Sequence, residues 1–381
     1  MLIIDDLTLI ICGVLVLFAV LSVVLDTFIK RMPDDRDEAV PEDLQPVSVI
    51  VIADNNSREL DKHLSVFLSQ DYPAGYEVIV VVSKDEDETD EVLKKYARHA
   101  NFYTTFVPDS SRYMSRHKLA ITLGVKAAKN NLILLTNADC CPVSDRWITS
   151  MVSAFKSQDA DVLSGYSNYD SDTDSFRVFE RLHREYAFMC EMASGRPYAT
   201  AGSNLMFRKD MFMQEKGFQG NLKYLRGEYE FLVNKYGRNY NVAVTTAPES
   251  YLTEVKPTQK AYVSRGIFYA ETRKHLLGGA LHRAAFNADM WSLHLCLLLS
   301  IGGGVFAGLT SRWIELGIAV LTLVIPCVAR TFMAKRAIRF FDVPTKFSMA
   351  FLYELRFMWH SLVIAIRHKR ADKVDFICHK S

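Results

Sequence analysis

The chain has 381 residues, is 49% hydrophobic and 23% charged, and carries a formal net charge of +1. That length suits one or two domains, and so balanced a charge leaves no electrostatic footprint for nucleic acid. The seven cysteines have no CxxC pattern among them, which supports neither a zinc site nor a disulfide framework.

The first predicted element is a membrane anchor. Leu7 to Phe28 is an apolar run broken only by Asp26, long enough to cross ~30 Å of hydrocarbon. Asp5 and Asp6 precede it and Lys30 and Arg31 come after it, the reverse of a signal peptide's order. An uncleaved anchor is therefore expected over residues 1–31. An acidic, proline-punctuated linker, residues 32–46, joins the anchor to an α/β region.

Val47 to Ile52 has the composition of a buried parallel strand. Helical periodicity over Leu60–Leu68 leads to a second strand, Glu77–Val82, an acidic loop from Ser83 to Asp90, and a helix over Glu91–Arg98. A third strand, Phe102–Val107, a helix over His117–Lys129 and a fourth strand, Leu132–Thr136, complete the series. This alternation predicts a doubly wound, mostly parallel α/β sheet. Ligands of such sheets lie beyond the carboxyl ends of the strands. That rule places Ala53 to Ser57, Ser83 to Asp87 and Asn137 to Asp139 on one rim. No GxGxxG comes after the first strand and no GxxxxGK[ST] occurs, which disfavours a dinucleotide or P-loop site.

Asp139 comes directly after a buried strand, where an unpaired carboxylate cannot stay buried. At the mouth of the sheet a hard divalent cation balances it, held by one or two carboxylates and by substrate phosphates. Asn137, two residues earlier, shares its face of the chain. A second acidic constellation, Glu228 and Glu230, stands after Gly227 at the start of a helix over Phe231–Lys235. Helix-dipole stabilisation of ~0.3–1 kcal/mol each explains those two glutamates on composition alone. A general base for a hydroxyl nucleophile also requires a carboxylate in a cleft. Between the two constellations, Gly202-Ser203-Asn204 precedes a short strand, Leu205–Phe207.

Toward the end of the chain, Met290–Leu309 and Ile314–Ala334 are apolar segments joined by Thr310–Trp313, the pattern of a helical hairpin over residues 286–336. Lys335, Arg336 and Arg339, like Lys30 and Arg31, mark the cytoplasmic side. Residues 31–290 are thus expected in the cytoplasm and the N-terminus outside. Phe347–Ile366 is interrupted by Glu354, Arg356 and His360 and flanked by basic residues. An interfacial helix with a basic tail is expected there, over residues 337–381.

Five stretches taken together resemble a known family: "VSVIVIADNN", "EVIVVVSKDEDETDEVLKKY", "SRHKLAITLGVKAAKNNLILLTNADCCPVSDRWI", "GSNLMFRKDMF" and "RGEYEFLVNKYG". They resemble glycosyltransferase family 2, inverting enzymes of GT-A fold, in a membrane-anchored bacterial subgroup. The resemblance implies a Rossmann-like domain over residues 47–285, a nucleotide-sugar donor, and Mn²⁺ or Mg²⁺. It gives Asp139 the metal and Asn137 a ribose or supporting role. Lys118 would face the phosphates, and Ala53, Asp54 and Asn55 would cup the base and ribose. Where the family has base-reading aspartates, this chain has Val82 and Ser83, so Asp85 or Asp87 would substitute. Glu228 takes the position of the catalytic base and Glu230 that of its neighbour, both glutamates where the family has aspartates.

The implied reaction is a direct displacement on a lipid-linked or cell-envelope glycan acceptor at the inner face of the plasma membrane. Membrane lipid is then a further partner, and the oligomeric state is not specified. Two alternatives stand beside it. One is a catalytically degenerate nucleotide-sugar-binding or scaffold protein. The other is a processive polysaccharide synthase, whose Gln-x-x-Arg-Trp motif has only Glu271-Thr272-Arg273-Lys274-His275 as its counterpart.

Overall fold

The computed structural model describes residues 5–34, 41, 43–54, 56–83, 87–108 and 115–378, with the backbone alone of Ser83 and Asp87. Asn55, Asp85 and the side chains of Ser83 and Asp87, all expected at the nucleotide, lie outside the described part. The chain forms two compact units, Met1–Arg31 with Gly278–Leu362, and Met32–Leu277 with Val363–Ser381.

Helix α1 (Asp6–Val24) comes first, started by Asp5, whose carboxylate accepts from the Thr8 N–H. The predicted series is next: β1 (Val47–Ile52), α2 (Ser57–Leu68), β2 (Tyr76–Ser83), α3 (Asp87–Tyr96), β3 (Phe102–Val107), α4 (Arg116–Ala127) and β4 (Leu132–Asn137). After it are β5 (Cys140–Pro142), α5 (Trp147–Ser157), β6 (Val162–Gly165), β7 (Ser167–Tyr169) and α6 (Ser175–Ala193). Then come β8 (Leu205–Arg208), α7 (Lys209–Gln214), α8 (Glu228–Tyr236), β9 (Val242–Thr245) and β10 (Leu252–Glu254). The last helices are α9 (Gln259–Thr272), α10 (Gly279–Leu309), α11 (Trp313–Phe340) and α12 (Ala350–Arg370).

In the α/β unit, seven strands form one sheet in the order β3-β2-β1-β4-β8-β6-β9. β1 is parallel to β2 and to β4, while β8 runs antiparallel to β4 and to β6. The expected class, a mostly parallel α/β sheet, is the one observed. β1 lies inside the sheet and every one of its residues is buried, which is why it reads as a continuous apolar run. Burying each such Val or Ile contributes roughly 1.5–3 kcal/mol. Helix α4 packs closely on β1 at Gly124, where a Cβ would stand 2.6 Å from Ile50 Cγ2. A smaller sheet, β5-β10-β7, begins directly after β4 and carries the chain past the rim.

In the other unit, α1, α10, α11 and the first part of α12 pack together. Four helices among the described residues are long and apolar enough to cross a membrane: Asp6–Val24, Gly279–Leu309, Trp313–Phe340 and Phe347–Arg370. The last is the segment expected to lie in the interface, and by length and composition it also meets the requirement for a span. Its Glu354 lies inside the helical unit. It is fully buried and accepts from Arg330 Nε at 2.6 Å. Arg330 also donates to Asp289 at 2.8 Å and to the Ser22 carbonyl at 2.5 Å, and Asp26 lies 3.8 Å from it. One guanidinium is thus shared by three carboxylates from three other segments inside apolar surroundings, the kind of pairing that buried charges need.

Candidate active site

The chain leaves β4 at Asn137 and turns through Ala138 and Asp139 into β5. The Ala138 N–H donates to the Ile52 carbonyl of β1 at 2.9 Å, and its own carbonyl meets His63 Nδ1 at 3.0 Å. Backbone bonds on both sides therefore hold Asp139 at the carboxyl end of the sheet, where the alternation of elements predicted it. Ala53 and Asp54 leave β1 on the same rim, Ala53 buried and its N–H on the Val81 carbonyl at 2.9 Å.

Helix α8 reaches this rim from a distant part of the sequence. It starts at Gly227, whose φ of 92° is left-handed and whose Cβ position would be 2.5 Å from Thr272 Cγ2. Only glycine enters this turn without strain. Tyr229, between the two glutamates, donates its hydroxyl to Asn137 Oδ1 at 2.9 Å, and Asn137 Nδ2 donates to Ser203 Oγ at 2.9 Å. One asparagine thus joins the end of β4, the glycine loop before β8 and the start of α8. Burial pushes the Tyr229 phenol well above its ordinary range, so it stays a donor.

Glu228 is 5% exposed, and its Oε1 has no hydrogen-bond partner among the described residues. A carboxylate serving as a helix cap spends its oxygens on backbone N–H groups; this oxygen is spent on none. Glu230 is partly buried, and its surroundings push it up to about 7, through burial first and then through Glu228 beside it. Nearby His117 is lowered by burial, against the opposing charge of Glu228. Its Nδ1 is likewise buried without a partner among the described residues.

Lys118 corrects one expectation. Its ammonium is fully buried and donates to the Tyr224 carbonyl and, at 3.2 Å, to the Arg226 carbonyl. It also lies over the Phe231 ring, 5.1 Å from the centroid. The residue holds the loop before α8 rather than facing a phosphate, because a buried ammonium takes the acceptors within its reach.

Asp139 is partly buried, and burial, with Glu254 beside it, raises it to about 6 against the pull of Arg265. Arg265 Nη2 is 3.2 Å from Asp139 Oδ2, and its Nη1 pairs with Glu254 Oε1. The other oxygen of Glu254 pairs with Arg181 at 3.3 Å. Burial would raise Glu254, but Arg265 and Arg181 outweigh it and hold it below its ordinary value. Behind the glycine loop, fully buried Glu185 accepts from the Ala201 N–H at 2.8 Å, and burial pushes it up to about 7.

Arg265, Glu254, Arg181, His117 and Glu185 were absent from the sequence expectations. Arg265 is 126 residues from Asp139, so no spacing signal joins them. Tyr229 stood within the quoted motif, and its place between two glutamates was the available clue. At the synthase-like segment, Glu271 is ion-paired with Lys274 at 2.8 Å and hydrogen-bonded to His275 and His368 at 3.1 and 2.7 Å. Those partners outweigh its burial and hold it down at about 2.

The residues at Asp139 fit a divalent cation completed by a ligand's own phosphate oxygens. They do not fit a cage built from protein alone: among the described residues no group of three His, Cys, Asp or Glu side chains converges.

Residues 48–214 match the model of the family described as glycosyl transferase family 2. Glycosyltransferase AglE of Haloferax volcanii is 24% identical over 184 residues, covering 46% of this chain and 57% of that protein. The matched part thus spans little more than half of that relative. A mannosyltransferase from Pyrobaculum calidifontis, solved with GDP-Man and Mn²⁺, superposes with a TM-score of 0.54 at 18% identity. The superposition covers 92% of this chain and 98% of that one, a likeness of GT-A-type fold.

Proposed function

We propose, from the match of residues 48–214 to the model of glycosyl transferase family 2, that the chain is a membrane-anchored, inverting glycosyltransferase. It moves a sugar from a nucleotide-sugar donor to a hydroxyl of a lipid-linked or envelope-glycan acceptor. The observation that carries this reading is the Tyr229–Asn137 hydrogen bond at 2.9 Å. It puts an unengaged, buried carboxylate oxygen of Glu228 on the same rim as Asp139.

Each residue has a task in the displacement. Glu228 takes the proton of the acceptor hydroxyl as that oxygen bonds to the anomeric carbon. The bond from the anomeric carbon to the diphosphate oxygen breaks on the opposite face, so configuration inverts in one step. A base placed in this way contributes typically ~10²–10⁴-fold. A divalent cation, held by Asp139 and the donor's phosphates, would supply neutralising charge to the departing diphosphate. Asn137 anchors the rim through Tyr229 and Ser203, and Ala53 and Asp54 flank the place for the nucleotide. Lys118 fixes the loop that delivers Glu228. The four apolar helices support attachment to a membrane, and the basic residues at Lys30, Arg31, Lys335, Arg336 and Arg339 support a cytoplasmic catalytic unit.

The unengaged Glu228 oxygen favours catalysis over a degenerate scaffold. The test is calorimetric titration of the detergent-purified chain with a panel of nucleotide sugars, with and without Mn²⁺, and again with Asp139→Ala. Metal-dependent binding of one donor, abolished by that substitution, is the expected result. A folded protein that binds none of the panel contradicts the reading.

A further inference from the structure

The proposed metal site already holds a cation of its own. Asp139 and Glu254 are bridged by one guanidinium. Arg265 gives Nη2 to Asp139 at 3.2 Å and Nη1 to Glu254. The two carboxylates are 18% and 3% exposed, whereas the Arg265 side chain is 43% exposed. The carboxylates are therefore fixed and the arginine is the part with open solvent beside it. Glu254 has a second, buried partner in Arg181, at 3.3 Å. Asp139 has no other cationic partner among the described residues, so its charge balance rests on Arg265 alone.

We propose that Arg265 is an exchangeable counter-cation. It neutralises Asp139 while the site is empty, and it must leave that carboxylate for a divalent cation to bind. The inference rests on the reading of Asp139 as the metal-holding carboxylate. A guanidinium and a divalent ion cannot share one carboxylate oxygen without strong repulsion at such distances. Binding of the metal alone therefore includes the cost of breaking an ion pair. A ligand bearing a diphosphate offers the displaced guanidinium a new partner of matching fork geometry. Metal and diphosphate then favour each other's binding, and by linkage the effect is reciprocal. Glu254 keeps Arg181 throughout, so the exchange leaves no buried carboxylate unpaired.

The experiment measures Mn²⁺ alone, by calorimetry or by the electron paramagnetic resonance of free Mn²⁺, on the detergent-purified full chain. The proteins are wild type, Arg265→Gln, Arg265→Lys and Arg265→Gln with Asp139→Asn, each with its melting temperature recorded. Arg265→Gln is expected to bind Mn²⁺ more tightly by about 5–150-fold, the usual span of coupling between two ligands. Arg265→Lys keeps the charge and is expected to stay near wild type, and the double variant to lose the gain. Equal Mn²⁺ affinity in wild type and folded Arg265→Gln overturns the exchange while leaving the metal reading in place. No Mn²⁺ binding by either folded protein, with the ion alone or with a nucleoside diphosphate added, overturns both.

Discussion

Replacing Glu185 by glutamine changes one atom in a fully buried place and isolates what a carboxyl costs there. Its oxygens accept from the Ala201 N–H at 2.8 Å and from Thr200 Oγ1 at 3.4 Å. A glutamine carbonyl can keep the first bond, and its amide can donate to the threonine hydroxyl. Burial, only partly opposed by Arg181, pushes the Glu185 carboxyl from an ordinary 4.5 to about 7. The folded state therefore holds a proton that the unfolded chain releases at lower pH. Stability from this group is fully present below 4.5 and falls as pH rises to about 7, beyond which the loss is complete. At 1.36 kcal/mol per tenfold, that loss is ~3 kcal/mol. Glutamine has no proton to lose, so Glu185→Gln should gain on wild type by about that amount between pH 4.5 and pH 8. For a unit of this size the gain corresponds to roughly 6–12 °C in melting temperature. Thermal melts of both proteins across that pH range measure the difference directly. Parallel curves would refute the reasoning, for they would mean that Glu185 ionises in the fold as it does outside it.

The same geometry sets three further outcomes. Glu228→Gln should lower kcat by about 10²–10⁴-fold in a protein that still melts cooperatively, because its buried Oε1 makes no hydrogen bond to lose; full turnover in a steady-state assay would exclude it as the base. Gly227→Ala puts a side chain at φ 92° and 2.5 Å from Thr272; a cost of ~1–3 kcal/mol in melting experiments, with a fall in kcat as Glu228 is displaced, is expected. Arg330→Met leaves Glu354, Asp289 and Asp26 buried without their shared cation. Destabilisation of ~3–5 kcal/mol in detergent is expected, and restoration by adding Glu354→Gln would attribute it to the ion cluster.

The strands and helices from Val47 to Asn137 could be read directly from the chain because their causes are local. Apolar runs of strand length, helical periodicity and a residue such as Ser115, which accepts from the Lys118 N–H at the start of α4, act over a few positions. The same locality made Asp139 legible, since a carboxylate directly after a buried strand has nowhere to go but the rim. Gly227 and the two glutamates after it likewise announced a helix start. The apolar segments at both ends were plain from length alone, and α10 merely begins earlier, at Gly279.

What Glu228 is for was a different kind of question. A cap and a base have the same sequence, and only the tertiary structure shows that one of its buried oxygens bonds to no backbone N–H. Lys118 was misplaced for a related reason: the carbonyls it takes belong to Tyr224 and Arg226, on a loop that no local rule brings near α4. The pairing of Arg265 with Asp139 lies further still from any sequence pattern. Charge balance inside a fold is settled by whichever partners the packing brings within a few ångströms, and the chain distance between them carries no information about it.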